Sequence, residues 1–136
     1  IMKHLLIIFL MTISLISCKD KDPDTPLLIE NNSNSQISVY LTLSAPYYPD
    51  TTIISDSNFL RVINPGSSTT YFQGNVDWEG IFSESPSQLL SVFFFNSDTV
   101  NTYIWDTIRT NYMVIMREDY SLEDFKSCEF KIIYNE

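Results

Sequence analysis

The stretch from Leu89 to Phe95 constrains the fold more than any other feature of the chain. It reads Leu-Leu-Ser-Val-Phe-Phe-Phe, so only Ser91 interrupts the apolar residues. A short run rich in aromatic and branched side chains predicts a β-strand that is covered on both faces of its sheet. The domain must therefore place protein on each side of this strand.

The first half of the chain predicts further strands. Ile37, Val39, Leu41 and Leu43 alternate with polar or amphipathic residues, a period of two that predicts a half-buried strand over Gln36–Leu43. Leu27–Glu30 precedes it, and the cluster Asn31–Ser35 between the two predicts a hairpin turn. Two more strand candidates, Phe59–Ile63 and Thr69–Phe72, flank the turn Asn64–Ser67.

The second half mixes helices with strands. Asp77 is a candidate N-cap for a helical turn over Asp77–Phe82. Thr102–Thr110 reads as one helix, with Tyr103, Ile104 and Ile108 on one face and Trp105 beside it. Ser121 begins a short helix through a capping box, and we expect Trp78 and Trp105 to be core residues. Tyr112–Met116 and the alternating Phe130, Ile132 and Tyr134 are the last strand candidates.

These elements predict an α+β, mostly β fold: a β-sandwich-like sheet core of about seven strands with two or three short helices. We assign residues 27–136 to a single β-rich globular domain, 18–26 to a flexible tether and 1–17 to a signal peptide. The tether is polar, charged and contains prolines.

Residues 1–17 have the order of a secretory signal: a basic start, the apolar run Leu5–Ile16 and a small residue before Cys18. Leu15–Cys18 resembles the bacterial lipobox. The resemblance implies cleavage before Cys18, diacylation of its thiol and a lipid-anchored protein of the cell envelope. The charges directly after Cys18 resemble the Bacteroidetes signal that sends lipoproteins to the outer face of the outer membrane.

Cleavage would also change the charge and the chemistry of the chain. Removing Lys3 lowers the basic residues from 8 to 7 against 17 acidic ones, a net charge of −10, which would repel nucleic acid and anionic lipid. His4 is the only histidine and would leave with the signal. Without it, neither a Ser-His-Asp triad nor a histidine metal site can form, so we predict no catalytic residue, no metal and no cofactor.

The remaining reactive groups have ordinary structural explanations. Pairs of acids, Asp77 with Glu79 or Asp98 with Asp106, would have to converge in a cleft to act as acid and base, and solvated surface acids are the commoner case. Cys128 would have no intrachain partner once Cys18 carries lipid, and we expect it to be a semi-buried structural cysteine.

One loop feature could bind a ligand. Tyr47 and Tyr48 lie between two prolines, and rigid loop aromatics can stack on sugars or anchor a protein partner. The alternative is that both rings fold back and cap the core.

The chain resembles a recurring group of small Bacteroidetes lipoproteins of unknown function. The resemblance rests on short stretches spread over the domain: Tyr48–Thr51, Ile63–Gly66, Trp78, Glu79 and Phe82, Val92–Asp98, Trp105 with Ile108, Tyr120–Leu122 and Ile132–Tyr134. It implies a location and an architecture and no activity. Asp50-Thr51-Thr52 also resembles the Bacteroidetes O-glycosylation signal, which makes Thr51 a candidate acceptor, with ordinary turn chemistry as the alternative.

Taken together, the sequence predicts a non-enzymatic, lipid-anchored binding or interaction module for a protein or glycan. The alternatives are a structural or accessory subunit of an envelope complex and a small carboxylate-based hydrolase. The partners expected are the membrane, through the lipid, and an envelope protein or glycan, with no nucleic acid.

Overall fold

The computed structural model describes residues 25–44, 50–51 and 60–136, and within them the chain forms seven strands and four short helices. In chain order these are β1 (Leu27–Asn31), β2 (Ile37–Thr42), β3 (Leu60–Ile63), β4 (Ser67–Tyr71), α1 (Trp78–Glu84), β5 (Leu90–Asn96), α2 (Ser97–Thr102), α3 (Trp105–Thr110), β6 (Met116–Tyr120), α4 (Leu122–Ser127) and β7 (Lys131–Tyr134). The predicted mostly β sandwich with short helices is confirmed.

The strands form two sheets. The first has three strands in the order β4-β1-β7, with β1 antiparallel to β4 and parallel to β7. The second has four antiparallel strands in the order β3-β2-β5-β6. The apolar stretch predicted from Leu89 to Phe95 is therefore a central strand, β5, and Leu90–Phe95 is buried throughout.

Strands β1 and β2 do not form the predicted hairpin, because they belong to different sheets. Instead, β1 pairs with β4 while β2 pairs with β3, so the four strands make one long antiparallel ribbon that bends sharply in the middle. Five residues separate β1 from β2, and three separate β3 from β4. The bend folds the ribbon onto itself and places its two halves in the two sheets.

We call this bend, formed by the β1–β2 and β3–β4 connections, the corner. The side chain of Asn31 stabilises it. It is fully buried, and its Nδ2 donates to the carbonyl oxygens of Ser35 at 2.8 Å and of Ile63 at 3.0 Å. Its Oδ1 accepts from the Ser33 amide and hydroxyl at 3.0 and 2.7 Å. One amide thus satisfies polar groups from both arms of the bend, groups that would be costly to bury without partners.

The main core lies between the sheets. Leu27 and Ile29 of β1 face Val39 of β2 and Val92 and Phe94 of β5, all at most 1% exposed. Two contacts tie the layers directly: the Phe94 and Tyr134 rings stack with centroids 5.2 Å apart, and the Tyr71 hydroxyl donates to the Val39 carbonyl at 3.0 Å. Burial raises the pKa of the Tyr71 hydroxyl well above its ordinary value, so it stays protonated and keeps donating.

An aromatic cluster closes one end of this core. Trp78, the first residue of α1, packs against Phe72, Phe82, Phe125 and Phe130 with ring centroids between 5.3 and 6.3 Å apart. Its indole Nε1 donates to the Thr25 carbonyl at 2.9 Å, which fixes the beginning of the domain to α1. Trp78 is therefore a core residue, as predicted.

A second core lies on the opposite face of the four-stranded sheet. Phe93 and Phe95 of β5 and Tyr40 of β2 are buried there, with Ile108 of α3 packed against them. This outer layer explains why β2 is not half-buried as the alternation predicted: Ser38 and Tyr40 are covered as well. Trp105 is half-buried in the same layer, with its ring 5.3 Å from that of Phe95.

The strand predicted over Tyr112–Met116 was placed too early. The backbone amides of Met113 and Val114 donate to the carbonyls of Ile108 and Tyr112, so the end of α3 uses these donors locally. The Ile115 amide donates to the Phe94 carbonyl of β5 at 2.8 Å, and the paired register with β5 starts at Met116. The two caps were predicted correctly: Asp77 accepts from the Gly80 amide at 2.9 Å, and Ser121 forms a capping box with Asp124.

Replacing Asn31 tests the role of the corner. In Asn31→Ala the buried carbonyl of Ile63 and the amide of Ser33 lose their partners, and we expect the free energy of unfolding to fall by about 2–3 kcal/mol. Urea denaturation measures it. Asn32→Ala, at the exposed neighbouring position, is the matched control and should change stability by less than about 0.5 kcal/mol. Equal effects of the two substitutions would contradict the role given to Asn31.

Candidate interaction surface

The helix predicted over Thr102–Thr110 begins later, at Trp105, and is α3. A separate helix, α2, precedes it and ends at Thr102. Asn96 caps α2 by accepting from the Asp98 amide at 2.8 Å, and α2 ends where the Tyr103 amide donates to the Thr99 carbonyl at 3.0 Å. Tyr103 and Ile104 then adopt extended backbone angles, with ψ of 146° and 150°, before α3 begins at Trp105. Aromatic and β-branched residues favour such extended angles, which is a local reason for the break.

This break turns two apolar side chains outward, and we call Tyr103 and Ile104 the knuckle. Tyr103 is 47% exposed and Ile104 is 74% exposed, whereas Ile108, one turn further on, is fully buried. The prediction that all three share one face of a single helix is therefore wrong. A continuous helix would align them, and the change of direction at the knuckle separates them.

The knuckle is held by its neighbours on both sides. The Ile104 carbonyl accepts from the amides of Thr107 and Ile108 at 3.0 and 3.2 Å, so Ile104 is the N-cap of α3. Helix α3 is in turn fixed to the sheet by Ile108 and Trp105. Single exposed apolar residues are common on protein surfaces, but Tyr103 and Ile104 are the one sequence-adjacent pair of exposed large apolar residues in the described ranges.

Helix α3 also binds the connection between β2 and β3. The Arg109 guanidinium donates from Nη2 to Asp50 Oδ2 at 2.8 Å and from Nε to Asp50 Oδ1 at 3.1 Å. Nε also donates to the Thr51 carbonyl at 2.9 Å. Such fork-shaped pairing fixes orientation as well as distance. Hydrogen bonding to Arg109 is the main cause that holds the pKa of the Asp50 carboxyl below its ordinary value.

Of the residues predicted to form sites, only Thr51 lies within the described ranges. Cys18, Tyr47 and Tyr48 lie outside the described residues. Asp50, two positions after Tyr48, is the first described residue beyond that segment and is the one that Arg109 binds. Thr51, the predicted glycosylation acceptor, is 1% exposed.

The acid pairs considered for catalysis have separate structural contacts. Asp77 caps α1, while Glu79 lies 3.8 Å from the Lys126 ammonium. Asp98 and Asp106 are both exposed and lie in the first turns of α2 and α3. Within the described ranges, no three or more His, Cys, Asp or Glu side chains are grouped so as to hold a metal ion. Cys128 is half-buried, as predicted, and its thiol contacts the Phe125 carbonyl.

A hydroxyl and a carboxylate do meet on the outer face of the four-stranded sheet. Ser91 donates to Asp119, which also binds the Arg117 guanidinium at 3.0 Å. Ser91 is only 3% exposed and is the register partner of Asp119, and Arg117 also lies over the Phe93 ring. These contacts link β5 to β6.

Comparison with known proteins identifies no family model, no curated protein and no solved structure that matches the chain. Among the described residues, no helix has the length and apolar character needed to cross a membrane.

The Asp50–Arg109 pair predicts a pH dependence. A depressed folded pKa means that the pair stabilises the folded state above the unfolded pKa and loses this effect as the pH falls through the folded value. NMR titration of the Asp50 carboxyl should therefore give a midpoint below 3.8. In Arg109→Gln the midpoint should rise toward the ordinary value, because the main cause of the shift is gone.

Lys126→Gln is the control, since it removes the same charge from an ion pair with Glu79 that does not involve Asp50. It should leave the Asp50 midpoint unchanged. An Asp50 midpoint that is insensitive to Arg109→Gln would show that the fork is not formed in solution.

Proposed function

We propose that this chain is a lipid-anchored, non-enzymatic interaction module of the cell envelope that docks a protein partner through the knuckle. The observation that carries the docking surface is the 74% exposure of Ile104 beside Tyr103 on a break held by backbone hydrogen bonds. Fully burying an aliphatic side chain of this size contributes about 1.5–3 kcal/mol, which suits an anchor residue in an interface.

A rigid apolar anchor makes binding efficient. Because α3 is fixed by Ile108, Trp105 and the Asp50–Arg109 pair, the knuckle need not become ordered when a partner arrives. A backbone segment that is already ordered lowers the ordering cost on association. Tyr and aliphatic side chains at one spot also match the composition of interface centres, which are poor in charge.

The surrounding charges indicate the chemistry of the partner. Asp98 and Asp106, in the first turns of α2 and α3, flank the knuckle in sequence and are exposed. The whole chain carries a net charge of −9. A partner with an apolar pocket and a basic rim would be attracted and oriented, whereas an acidic surface would be repelled.

The proposed lipid anchor depends on a signal peptide over residues 1–17 and on acylation of Cys18, the residue that follows it. The lipobox-like Leu15–Cys18 and the charged, proline-containing stretch up to Pro26 support a lipid attached to a short tether. The tether would join the domain where Trp78 binds Thr25. If the chain is instead an accessory subunit of an envelope complex, it would use the same surface. That alternative predicts a partner bound in fixed stoichiometry.

Photo-cross-linking in intact cells tests the docking surface. A photoreactive residue at position 104 should capture one defined protein, whereas the same residue at position 133 should not, although Ile133 is also 42% exposed. Ile104→Thr should weaken that partnership about tenfold or more, equivalent to about 1.4 kcal/mol. The matched change Ile133→Thr should leave it intact, because it makes the same chemical change on the outer face of the other sheet.

Equal capture at positions 104 and 133 would contradict a docking role for the knuckle. A stoichiometric partner retained through purification would favour the accessory-subunit form of the proposal over transient binding.

Intact mass measurement of the protein from its native membrane tests the anchor. The expected polypeptide begins at Cys18 and carries added diacylglycerol mass, because the thiol of that residue is the acylation site. Cys18→Ser should abolish the added mass and release the chain from the membrane fraction. Retention of residues 2–17 on the wild-type chain, or an unmodified Cys18, would refute the anchor.

A further inference from the structure

A recessed surface lies at the connection between β4 and α1. A shallow cleft that is largely open to solvent lies there, with a volume of about 340 Å³. Phe72, Val76 and Ile81 supply its apolar lining. The Phe72 ring makes an edge-on contact with Trp78 at a centroid distance of 5.3 Å, so the core supports it from one side.

The polar lining of the cleft consists of two carboxylates and two amides: Asp77, Glu84, Gln73 and Asn75. Carboxylates only accept hydrogen bonds, and side-chain amides both accept and donate. No lysine, arginine or histidine is among the lining residues. A ligand that fits this set must offer many hydrogen-bond donors and no negative charge.

The turn before α1 is built to present these groups. Phe72 and Gly74 have positive φ angles of 55° and 98°, so the chain reverses sharply between the core ring and Asn75. Gly80 leaves room for Asp77, because a Cβ at Gly80 would lie 2.5 Å from Asp77 Oδ2. Asp77 uses Oδ1 to cap the helix, which fixes the direction of its carboxylate.

We propose that this cleft binds a neutral sugar residue. A pyranose has an apolar C–H face that can lie on Phe72 and Ile81, and a ring of hydroxyls that can donate to Asp77 and Glu84 and exchange hydrogen bonds with the amides. The two carboxylates disfavour acidic sugars by charge repulsion. The glycan site is separate from the knuckle and adds a second ligand class to the proposed protein-docking role.

An NMR titration of the full-length chain in detergent tests the proposal. The probes are glucose, galactose, mannose and N-acetylglucosamine, each added to about 50 mM, at which even a millimolar ligand is largely bound. At least one neutral sugar should shift the backbone amide resonances of residues 73–81. Glucuronic and galacturonic acid should bind at least about tenfold more weakly than their neutral counterparts, because their carboxylate meets Asp77 and Glu84.

Two glutamates of α1 provide a matched pair of variants. Glu84 lines the cleft, whereas Glu79 is on the same helix, is also exposed and faces Lys126 instead. Glu84→Gln should weaken the neutral sugar about threefold to tenfold, since a charge-assisted hydrogen bond becomes a neutral one, and should reduce the discrimination against the uronic acid. Glu79→Gln should change neither quantity.

Absence of amide shifts with all four neutral sugars would overturn the proposal. So would equal affinity for a sugar and its uronic acid, or equal effects of the two glutamate substitutions. Ile104→Thr should leave the sugar titration unchanged, so failure of the cleft and failure of the knuckle are distinguishable.

Discussion

The bend in the four-stranded ribbon determines the rest of the architecture, and the amide of Asn31 holds that bend. Without the bend, the four strands β1, β2, β3 and β4 would form an extended hairpin-like ribbon with one apolar face exposed. With it, Leu27 and Ile29 face Val39 across the core, and each half of the ribbon becomes a template for a further strand. Strand β7 adds beside β1 and β5 adds beside β2, so the two sheets grow outward from the corner.

Burial of β5 on both faces then requires the outer layer. Phe93 and Phe95 point away from the main core, and they are covered by Ile108 and Trp105 of α3 and Val100 of α2. Two six-residue helices are too short to be stable alone, so their order depends on this packing. The knuckle is the point where the chain passes from one helix to the next. Tyr103 and Ile104 are exposed because the chain changes direction there, whereas Ile108 stays buried against the sheet.

Features encoded within a few residues could be predicted from the sequence, and features decided by distant contacts could not. The strand at Leu89–Phe95 and the caps at Asp77 and Ser121 depend on local pattern, and they were correct. The cluster Asn31–Ser35 looked like a hairpin turn because nothing local reveals that its Asn binds Ile63, which lies 32 residues away. The knuckle was missed because a helical spacing of Tyr103, Ile104 and Ile108 fits an unbroken helix equally well. The cleft combines a turn, a strand end and a helix, and no single motif marks it.

The two candidate surfaces adjoin different parts of the ribbon: the cleft lies beside the start of β1, and α2 begins at the corner in the middle of the ribbon. Strand β1 starts beside Thr25, which Trp78 binds, and the same indole supports the Phe72 ring of the cleft. At the far end of β1, beyond the Asn31 corner, the Gln36 carbonyl accepts from the Ser97 amide and the Ser38 and Ser97 hydroxyls meet at 2.9 Å, so α2 begins at the corner end. Helix α2 therefore starts at the corner, at the end of β1 remote from Thr25. If the tether enters at Thr25, the cleft lies next to the anchor, whereas α2 begins at the corner, at the far end of β1. A ligand in the cleft and a partner on the knuckle would then bind independently.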